Sequence, residues 1–243
     1  MPMHHRHHSA TAALLLGLCL LAGLALLGWQ LGNSAIRYKA MERVVTVKGL
    51  AEREVPADLA LWPITFSKPQ NDIGALYQEL AADTDSILSF LSKQGFDSGE
   101  IQVNPPQVTD KLANAYGNAG PVEFRYSASQ TVMVHSTDID KVLAARRQLA
   151  ELGQQGIVLQ GDNYGAGTEF LFTGLNDIKP AMIEEATRNA REVAQKFAAD
   201  SNSRLGKIKT ASQGQFSISN RDQQTPHIKK IRVVSTVQYY LAD

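Results

Sequence analysis

The residues of this sequence that are best suited to chemistry are His135, Ser136 and Asp138, which lie close together along the chain. A serine, a histidine and an aspartate can act together as a nucleophile, a general base and the group that orients the base. Catalysis would also require the three side chains to converge beside an oxyanion hole. Asp138 instead precedes an amphipathic run and is well placed to cap a helix, with Ser136 in the loop before it. We therefore predict no catalytic residues and expect that the protein is not an enzyme.

Histidines could also hold a metal ion. A site built from His135, His227 and a carboxylate would need distant segments to meet, which no pattern in the sequence predicts. Four more histidines lie near the start of the chain, at His4, His5, His7 and His8. This cluster could bind a transition metal, but beside Arg6 it fits better as a disordered flank with positive charge. We expect no metal site and no cofactor.

Glycine and aromatic residues supply the remaining candidates for ligand binding. Residues 165–167 (GAG) lack the spacing of a nucleotide-binding loop and lead into a strand-like run, which indicates a bulged hairpin. Two aromatic pairs are more typical of core or interface packing than of ligand contacts: Trp62 with Phe66, and Tyr239 with Tyr240. The alternative left open is a small-molecule pocket between helices and sheet. Its candidate lining residues are Asn163, Tyr164 and His135.

The charge balance argues against a nucleic-acid-binding protein. The chain of 243 residues has 24 basic and 24 acidic side chains. Because Arg6 is the only charged residue before Arg37, the part that follows carries a net charge of −1. Binding to nucleic acid needs a basic surface that neutralises phosphates. The only cysteine, Cys19, leaves the rest of the chain without disulfides, which fits an oxidising compartment or the cytosol.

Residues 10–29 form an uncharged, strongly apolar stretch in which Thr11 is the only clearly polar residue. A helix of this length measures about 30 Å, the thickness of a bilayer's hydrocarbon core. Cleavable signals have shorter apolar cores, and the nearest small pair, Gly32 and Ser34, makes a poor cleavage site. With Trp29 at the exit, we predict a retained transmembrane anchor over residues 10–31, with cleavage as the alternative.

The rest of the chain predicts an α+β fold with mostly antiparallel sheet packed by amphipathic helices. Strands are indicated at 45–51, 59–66, 101–109, 124–135, 157–173, 207–218 and 231–241. The third is interrupted by Pro105 and Pro106, and the fifth surrounds a Gly-rich break at 161–167. Pro63 suggests an edge or a bulge in the second strand. Three helices are indicated, one from Asn71 or Asp72 to Gly95, one from Asp138 to Gly153 and one from residue 176 or 177 to Gly206. The last one is expected to bury a stripe of Ile178, Met182, Ala186, Ala190, Val193 and Phe197.

Three segments together resemble the SIMPL-domain family. The run VTVKGLAEREVPADLA, from Val45 to Ala60, resembles its opening strand-turn-strand, with alternating valines up to a glycine and then Pro-x-Asp-x-Ala. Residues 176–208 resemble its long alanine-rich helix and the Leu-Gly-Lys turn after it, and residues 233–241 resemble its closing strand. The resemblance implies an envelope protein of largely unknown function with no agreed catalytic residues. Family members include a periplasmic protein that assembles into ring-like oligomers and one linked to tolerance of oxidative stress.

The expected organisation has four parts. Residues 1–9 form a cytoplasmic flank, 10–31 the transmembrane anchor or uncleaved signal, 32–41 a connector and 42–243 a SIMPL-like periplasmic domain. Charges beside the anchor do not decide its orientation, so the periplasmic placement comes from the resemblance. The expected protein is a single-pass module of the bacterial inner membrane that forms a homo-oligomer or binds an envelope protein, without an assigned biochemical activity.

Overall fold

The computed structural model describes residues 6–40, 43–113, 123–161 and 167–242. The helices are α1 (Arg6–Ala40), α2 (Ile73–Lys93), α3 (Ile139–Arg147), α4 (Ala150–Gln154) and α5 (Leu175–Asp200), with a 3₁₀ turn at Ser98–Glu100. The strands of the first half are β1 (Val44–Pro56), β2 (Leu59–Gln70), β3 (Ile101–Val103), β4 (Gln107–Asp110) and β5 (Tyr126–Ser136). Those of the second half are β6 (Val158–Leu159), β7 (Glu169–Leu171), β8 (Arg204–Gln213), β9 (Ser217–Asn220) and β10 (Ile228–Ala242).

The fold is α+β with antiparallel sheets, as the sequence predicts. One sheet has the order β1-β10-β8, and β9 pairs with the first part of β10. The other is centred on the long β2–β5 ladder, which runs from Ala60 opposite Ser136 to Gln70 opposite Tyr126. β3 and β4 pair with the free side of β5, and β6 and β7 pair with the free side of β2.

Two compact units divide the chain. Unit 1 consists of Met1–Ala51, Ala181–Phe216 and Val233–Asp243, and unit 2 consists of Glu52–Pro180 and Ser217–Arg232. Both are assembled from segments that are distant in sequence.

In unit 1, α5 packs against the sheet through small side chains. Its buried residues follow one another every four positions: Met182, Ala186, Ala190, Ala194 and Ala198. A Cβ atom added at Gly49 of β1 would lie 1.9 Å from the Ala186 carbonyl oxygen and 2.4 Å from the Ala190 nitrogen. The backbone of α5 therefore lies directly on the backbone of β1 at this glycine, a close approach that only glycine permits.

In unit 2, large side chains fill the space between the helices and the sheet. Alternate residues of β2 and β5 point into this core, including Trp62, Phe66 and Val132, which are at most 2% exposed. α2 contributes a buried stripe of Leu76, Leu80, Thr84, Ile87, Phe90 and Leu91. The period-2 and period-3.6 patterns of the sequence are therefore confirmed in this unit.

The predicted start and stop signals of α2 and the start of α3 are confirmed. Asp72 caps α2 by accepting the Ala75 N–H at 2.8 Å, and Asp138 caps α3 by accepting the Lys141 N–H at 2.9 Å. Gly95 ends α2 in the left-handed conformation with φ of 82°. The next amide, Phe96 N–H, bonds back to the Leu91 carbonyl at 3.1 Å, the geometry of a Schellman motif.

Four sequence-based predictions about these elements are wrong. The helix predicted from Asp138 to Gly153 is divided, because the Gln148 and Leu149 amides bond three residues back and close α3. The strand predicted at 207–218 is two shorter strands, whereas the run at 157–173 forms one strand on each side of its predicted Gly-rich break, β6 and β7. α5 ends at Asp200 rather than near Gly206, since Asn202 adopts the left-handed conformation, with φ of 52°.

The fourth error concerns the face of α5 that is buried. Val193 and Phe197 were expected in the apolar stripe but are 38% and 55% exposed. Ala194 and Ala198 are buried in their place. Because the helix approaches β1 so closely beside Ala186 and Ala190, these positions admit a methyl group but no larger side chain, whereas Met182 is accommodated one turn earlier.

Pro63 lies in a central strand rather than at the edge of the sheet. Its neighbours in β2 pair with β6 at Phe66 and Ser67 and with β7 at residues 59–61, and Pro63 falls between these two short ladders. The Thr65 carbonyl accepts the Gln160 N–H at 2.8 Å, so this side of β2 faces the β6 edge. By strand alternation the Pro63 nitrogen, which has no hydrogen to donate, points to the same side.

α1 contains one segment that is long and apolar enough to cross a membrane. This segment, Ala13–Ile36, has 24 residues and a mean hydropathy of 2.1, and the other described residues bury none of it. A signal sequence near an amino terminus meets the same criteria, so the helix is consistent with an anchor without excluding a cleaved signal. The helix continues through most of the segment that the sequence suggests as a connector, up to Ala40.

Candidate functional site

The Ser, His and Asp candidates do not form a catalytic arrangement. The Ser136 hydroxyl is buried and donates to Glu100 Oε1 at 2.5 Å, and it accepts the Asp138 N–H at 3.2 Å. The Asp138 carboxylate caps α3. His135 is exposed and points to the opposite face of β5 from Ser136, as successive strand residues do. The three side chains therefore face different surroundings, and the interpretation of Asp138 as a cap is confirmed.

Glu100 is the centre of a polar cluster that joins three elements of unit 2. Its two carboxylate oxygens accept from Lys141 Nζ at 3.1 and 2.9 Å, in addition to the Ser136 hydroxyl. The Lys141 amine also lies 4.6 Å from the centre of the Phe96 ring. Partial desolvation alone would raise the pKa of Glu100, but the hydrogen bonds from Ser136 and Lys141 outweigh it and leave this pKa lowered. The cluster holds the 3₁₀ turn, β5 and α3 together.

Asp58 has a structural role that the sequence suggests only as part of a turn. Its carboxylate accepts the Thr173 N–H at 2.8 and 2.9 Å, the Thr173 hydroxyl at 3.1 Å and the Gly174 N–H at 3.0 Å. These bonds tie the turn between β1 and β2 to the residues just before α5. The aspartate of the Pro-x-Asp-x-Ala motif thus satisfies backbone donors just before a helix start.

The histidine and aromatic candidates are part of the packing. The His227 ring lies 5.9 Å from the Phe170 ring and is half-buried. Trp62 and Phe66 lie in the core of unit 2. Tyr239 is 1% exposed in unit 1, whereas Tyr240 is half-buried with the Lys209 amine 5.6 Å from its ring centre.

Some candidate residues lie outside the described part of the chain. These are His4, His5, Asn163, Tyr164, Gly165 and Ala166. The described residue Gly167 does lead into a strand, β7, as expected. Among the described residues, no group of three or more histidine, cysteine or acidic side chains could hold a metal ion.

A cleft of about 460 Å³ lies in unit 2. It lies where the middle of β2, the last turn of α3 and the end of β6 meet. Its walls include the side chains of Trp62, Leu143, Arg146, Arg147, Leu149 and Leu159. The sequence shows two adjacent arginines at the end of a helix here, but the cleft itself depends on strand pairing that no local pattern reveals.

Comparison with known proteins assigns the chain to a family. The family model described as SIMPL, a protein of unknown function (DUF541), matches residues 45–239. No curated protein matches the chain. The matched region begins at the valines of β1 and ends at Tyr239 in β10, and it includes Gly49, Asp58 and the alanine stripe of α5. Since the match covers well over half of the 243 residues, the chain belongs to the SIMPL family.

Proposed function

We propose that this protein is a non-enzymatic module that is anchored in the bacterial inner membrane by residues 10–31 and holds its SIMPL domain in the periplasm. The observation that carries the proposal is α1, whose apolar segment is long enough to span a bilayer and is not covered by the rest of the protein. An isolated helix with exposed leucines on all sides is stable in a bilayer, where its backbone groups are satisfied internally. A folded domain follows it directly.

The periplasmic orientation rests on what the resemblance to envelope proteins implies. Lysines and arginines near the anchor do not decide it, but long domains are exported largely regardless of such charges. A role without catalysis is supported by Ser136 and Asp138, the candidate nucleophile and the candidate orienting group. The Ser136 hydroxyl is bonded to Glu100, and the Asp138 carboxylate caps α3.

The module would act by binding another copy of itself or an envelope protein. Support comes from the outer face of α5, where Phe197 and Val193 lie one helical turn apart and are 55% and 38% exposed. A large aromatic side chain at the surface of a helix costs little free energy alone but contributes strongly when an interface covers it. This pair is the surface we assign to protein–protein contacts.

A reporter fused behind Asp243 tests the anchor and its orientation. We expect an exported phosphatase to be active and membrane-bound, and a fluorescent protein that folds only in the cytosol to stay dark. Replacing both Leu20 and Leu24 by arginine should abolish membrane insertion, because each arginine at a helix centre costs about 2.5–3.5 kcal/mol on insertion scales. Tyr38→Arg, beyond both the predicted span and the segment Ala13–Ile36, is the matched control. Activity of the cytosolic reporter in the unaltered protein would contradict the proposal.

Mass photometry of the full chain in nanodiscs, together with crosslinking in membranes, tests the binding role. We expect crosslinked species above the monomer that weaken in Phe197→Ser and persist in the neighbouring control Glu192→Ser. A chain that stays monomeric and free of crosslinked partners at tens of micromolar would argue against association through this domain.

A further inference from the structure

The strand β1 lies at an edge of its sheet, where among the described residues it pairs with β10 alone. The Arg43 carbonyl accepts the Leu241 N–H at 2.8 Å, and towards the other end Ala57 N–H donates to the His227 carbonyl at 2.8 Å. These two pairs are equally far apart on both strands, which therefore run antiparallel without a net shift of register. It follows that the odd-numbered residues of β1 bond to β10 and the even-numbered ones point their backbone groups away from it.

A side chain of α5 confirms which backbone groups face the open edge. The Leu50 carbonyl accepts a hydrogen bond from the Asn189 side-chain amide at 2.8 Å, which an even-numbered carbonyl of β1 can do only from its outer side. Asn189 therefore leans over the free edge. Its bond occupies the Leu50 carbonyl and leaves the backbone groups of Thr46 and Lys48 for another strand.

Two apolar side chains follow Asn189 on the same flank of α5. Val193 and Phe197 continue its row at intervals of four, and each member of the row comes three residues after a buried alanine. The row therefore runs parallel to the buried stripe, on the side of the β1 edge. Val193 and Phe197 are 38% and 55% exposed there. Because Ala194 packs with Val47 and the partly buried Val45, α5 runs towards the start of β1 and this pair lies beside the free backbone groups.

A free strand edge beside a helix flank is the geometry in which domains bind extended peptides. Main-chain hydrogen bonds supply the affinity, and alternate side chains of the peptide enter the space next to the helix. Asn189 and an exposed lysine on the edge also protect it against unspecific pairing. Such protection does not require that Val193 and Phe197 remain exposed next to the edge.

Lys48 favours a partner other than a second copy of this chain. It is exposed, has no ion pair among the described residues and lies on the face away from α5, because Val47 and Gly49 face the helix. The opposite edge of the sheet, formed by β8, carries the exposed Lys207 and Lys209. Pairing of copies through these edges would bring like charges together, whereas a foreign strand can place a carboxylate beside Lys48.

We infer that the edge of β1 binds an extended segment of another envelope protein, which adds a strand to the sheet and covers Val193 and Phe197. The segment bonds to the backbone groups of Thr46 and Lys48. Its apolar side chains, at alternate positions, lie on the flank of α5, and an acidic side chain on its other face lies beside Lys48. The inference names the kind of partner for the binding role proposed above and rests on that role.

Hydrogen exchange resolved to single amides tests this strand addition in the full chain, reconstituted in nanodiscs of phosphatidylcholine. The probe is a blocked hexapeptide in which valines alternate with threonine and a central glutamate. We expect saturating peptide to slow the exchange of the Thr46 and Lys48 amides at least about tenfold, because a bonded amide exchanges only when the ladder opens. The amides of Val45 and Val47 are already bonded to β10 and should change little.

Two methylated peptides show whether the backbone of the peptide makes the contact. A strand pairs with one edge through every second amide. N-methylation of one alternate set of amides should therefore abolish the slower exchange, and N-methylation of the other set should leave it.

The variant Thr46→Pro removes one outward N–H and keeps the amides that bond to β10, so we expect it to raise the Kd of the peptide about tenfold. Thr46→Val keeps the amide and is the matched control. Phe197→Ser changes an exposed position and should also raise the Kd, so the test does not depend on the folding of the proline variant. Lys48→Glu should raise the Kd of the glutamate peptide about threefold and lower that of the same peptide with lysine in its place.

Two results would overturn the inference. One is unchanged exchange of the Thr46 and Lys48 amides at peptide concentrations up to about 1 mM. The other is an equal effect of the two methylated sets, or equal affinity in Thr46→Pro and Thr46→Val.

Crosslinking in membranes separates this inference from the binding role itself. Crosslinked species that weaken in Phe197→Ser but persist in Thr46→Pro would leave the binding role standing and overturn the strand addition. The absence of crosslinked species in the unaltered protein would remove the binding role on which the inference rests.

Discussion

Unit 1 and unit 2 each pack helix against sheet, but they do so in opposite ways. In unit 1 the helix that packs on β1 and β10 presents alanines and meets a glycine, so that backbones lie nearly in contact. In unit 2 the helices lie over a layer of large side chains, among them Trp62, Phe66 and Leu91. The first arrangement leaves no room for added atoms, whereas the second can adjust its side-chain rotamers. The difference indicates which single amino-acid substitutions each unit can tolerate without a large loss of stability.

The largest expected effect of a small change is therefore at Gly49 in unit 1. Gly49→Ala places a Cβ within 1.9 Å of the Ala186 carbonyl oxygen, so α5 must shift away from β1. We expect the free energy of unfolding to fall by at least about 3 kcal/mol, since a backbone displacement costs more than a rotamer change. Denaturant unfolding followed by hydrogen exchange should show protection lost first in α5 and in Val44–Pro56.

Two controls make this prediction specific to close packing. Gly153→Ala adds the same methyl group in α4 of unit 2, where no atom lies within 4 Å, and should be neutral or stabilising by up to about 1 kcal/mol. Ile87→Val removes one carbon from the core of unit 2 and should cost about 1 kcal/mol. Equal losses in Gly49→Ala and Ile87→Val would mean that the two units do not differ in tolerance.

The sequence predicts the elements of both units better than it predicts their packing. Strand alternation in β10 and the helix cap at Asp138 are local signals, and both are confirmed. The buried face of α5 is not a local property. Val193 and Phe197 continue the apolar stripe by spacing, but the short distance to the sheet at Gly49 decides that alanines face inward from Ala186 to Ala198.

The candidate site shows the same limit more strongly. Two adjacent arginines at a helix end are visible in the sequence. They do not indicate a binding site by themselves, because arginines are common in the last turn of helices. The cleft exists because β6 pairs with only Phe66 and Ser67, and β7 resumes the edge of β2 beyond Pro63. Pairings between segments so distant in sequence have no pattern of their own in a single chain. The same holds for Asp58, whose partners lie 115 and 116 positions away.

A pH-dependent effect is expected in unit 2. The folded protein lowers the pKa of Glu100 below its usual 4.5, so the ionised cluster stabilises the fold in full above that value. This contribution is lost as the pH falls through the lowered pKa. Glu100→Gln should lower the free energy of unfolding at neutral pH by about 1 kcal/mol and remove part of the decline on acidification.

Denaturant midpoints measured from pH 7 to pH 3 check this prediction. The exposed Glu151 of α4 supplies the control Glu151→Gln, which should follow the unaltered protein across the range. If Glu100→Gln also runs parallel to the unaltered protein, the Ser136 and Lys141 contacts do not stabilise the ionised form.

The smallest effect is expected at the centre of unit 1 and has the opposite sign. Tyr239 is 1% exposed, and its hydroxyl oxygen has no hydrogen-bond partner among the described residues. A buried hydroxyl without a partner costs free energy because it loses its bonds to water. Tyr239→Phe removes only this oxygen and keeps the ring against Ala190 and Ala194, so it should stabilise the protein by about 0.5–1 kcal/mol.

Thermal unfolding of the full chain in nanodiscs, with hydrogen exchange of β10 as the local measurement, tests this gain. Tyr240→Phe in the same strand is the matched control and should change stability by less than about 0.5 kcal/mol, because that side chain is only half-buried. A loss of stability in Tyr239→Phe would mean that the hydroxyl is satisfied in solution, by a bound water between helix and sheet. The alanine-lined face would then have space that a methyl group at Gly49 could use, and the contrast between the two units would be weaker than the close approach of backbones implies.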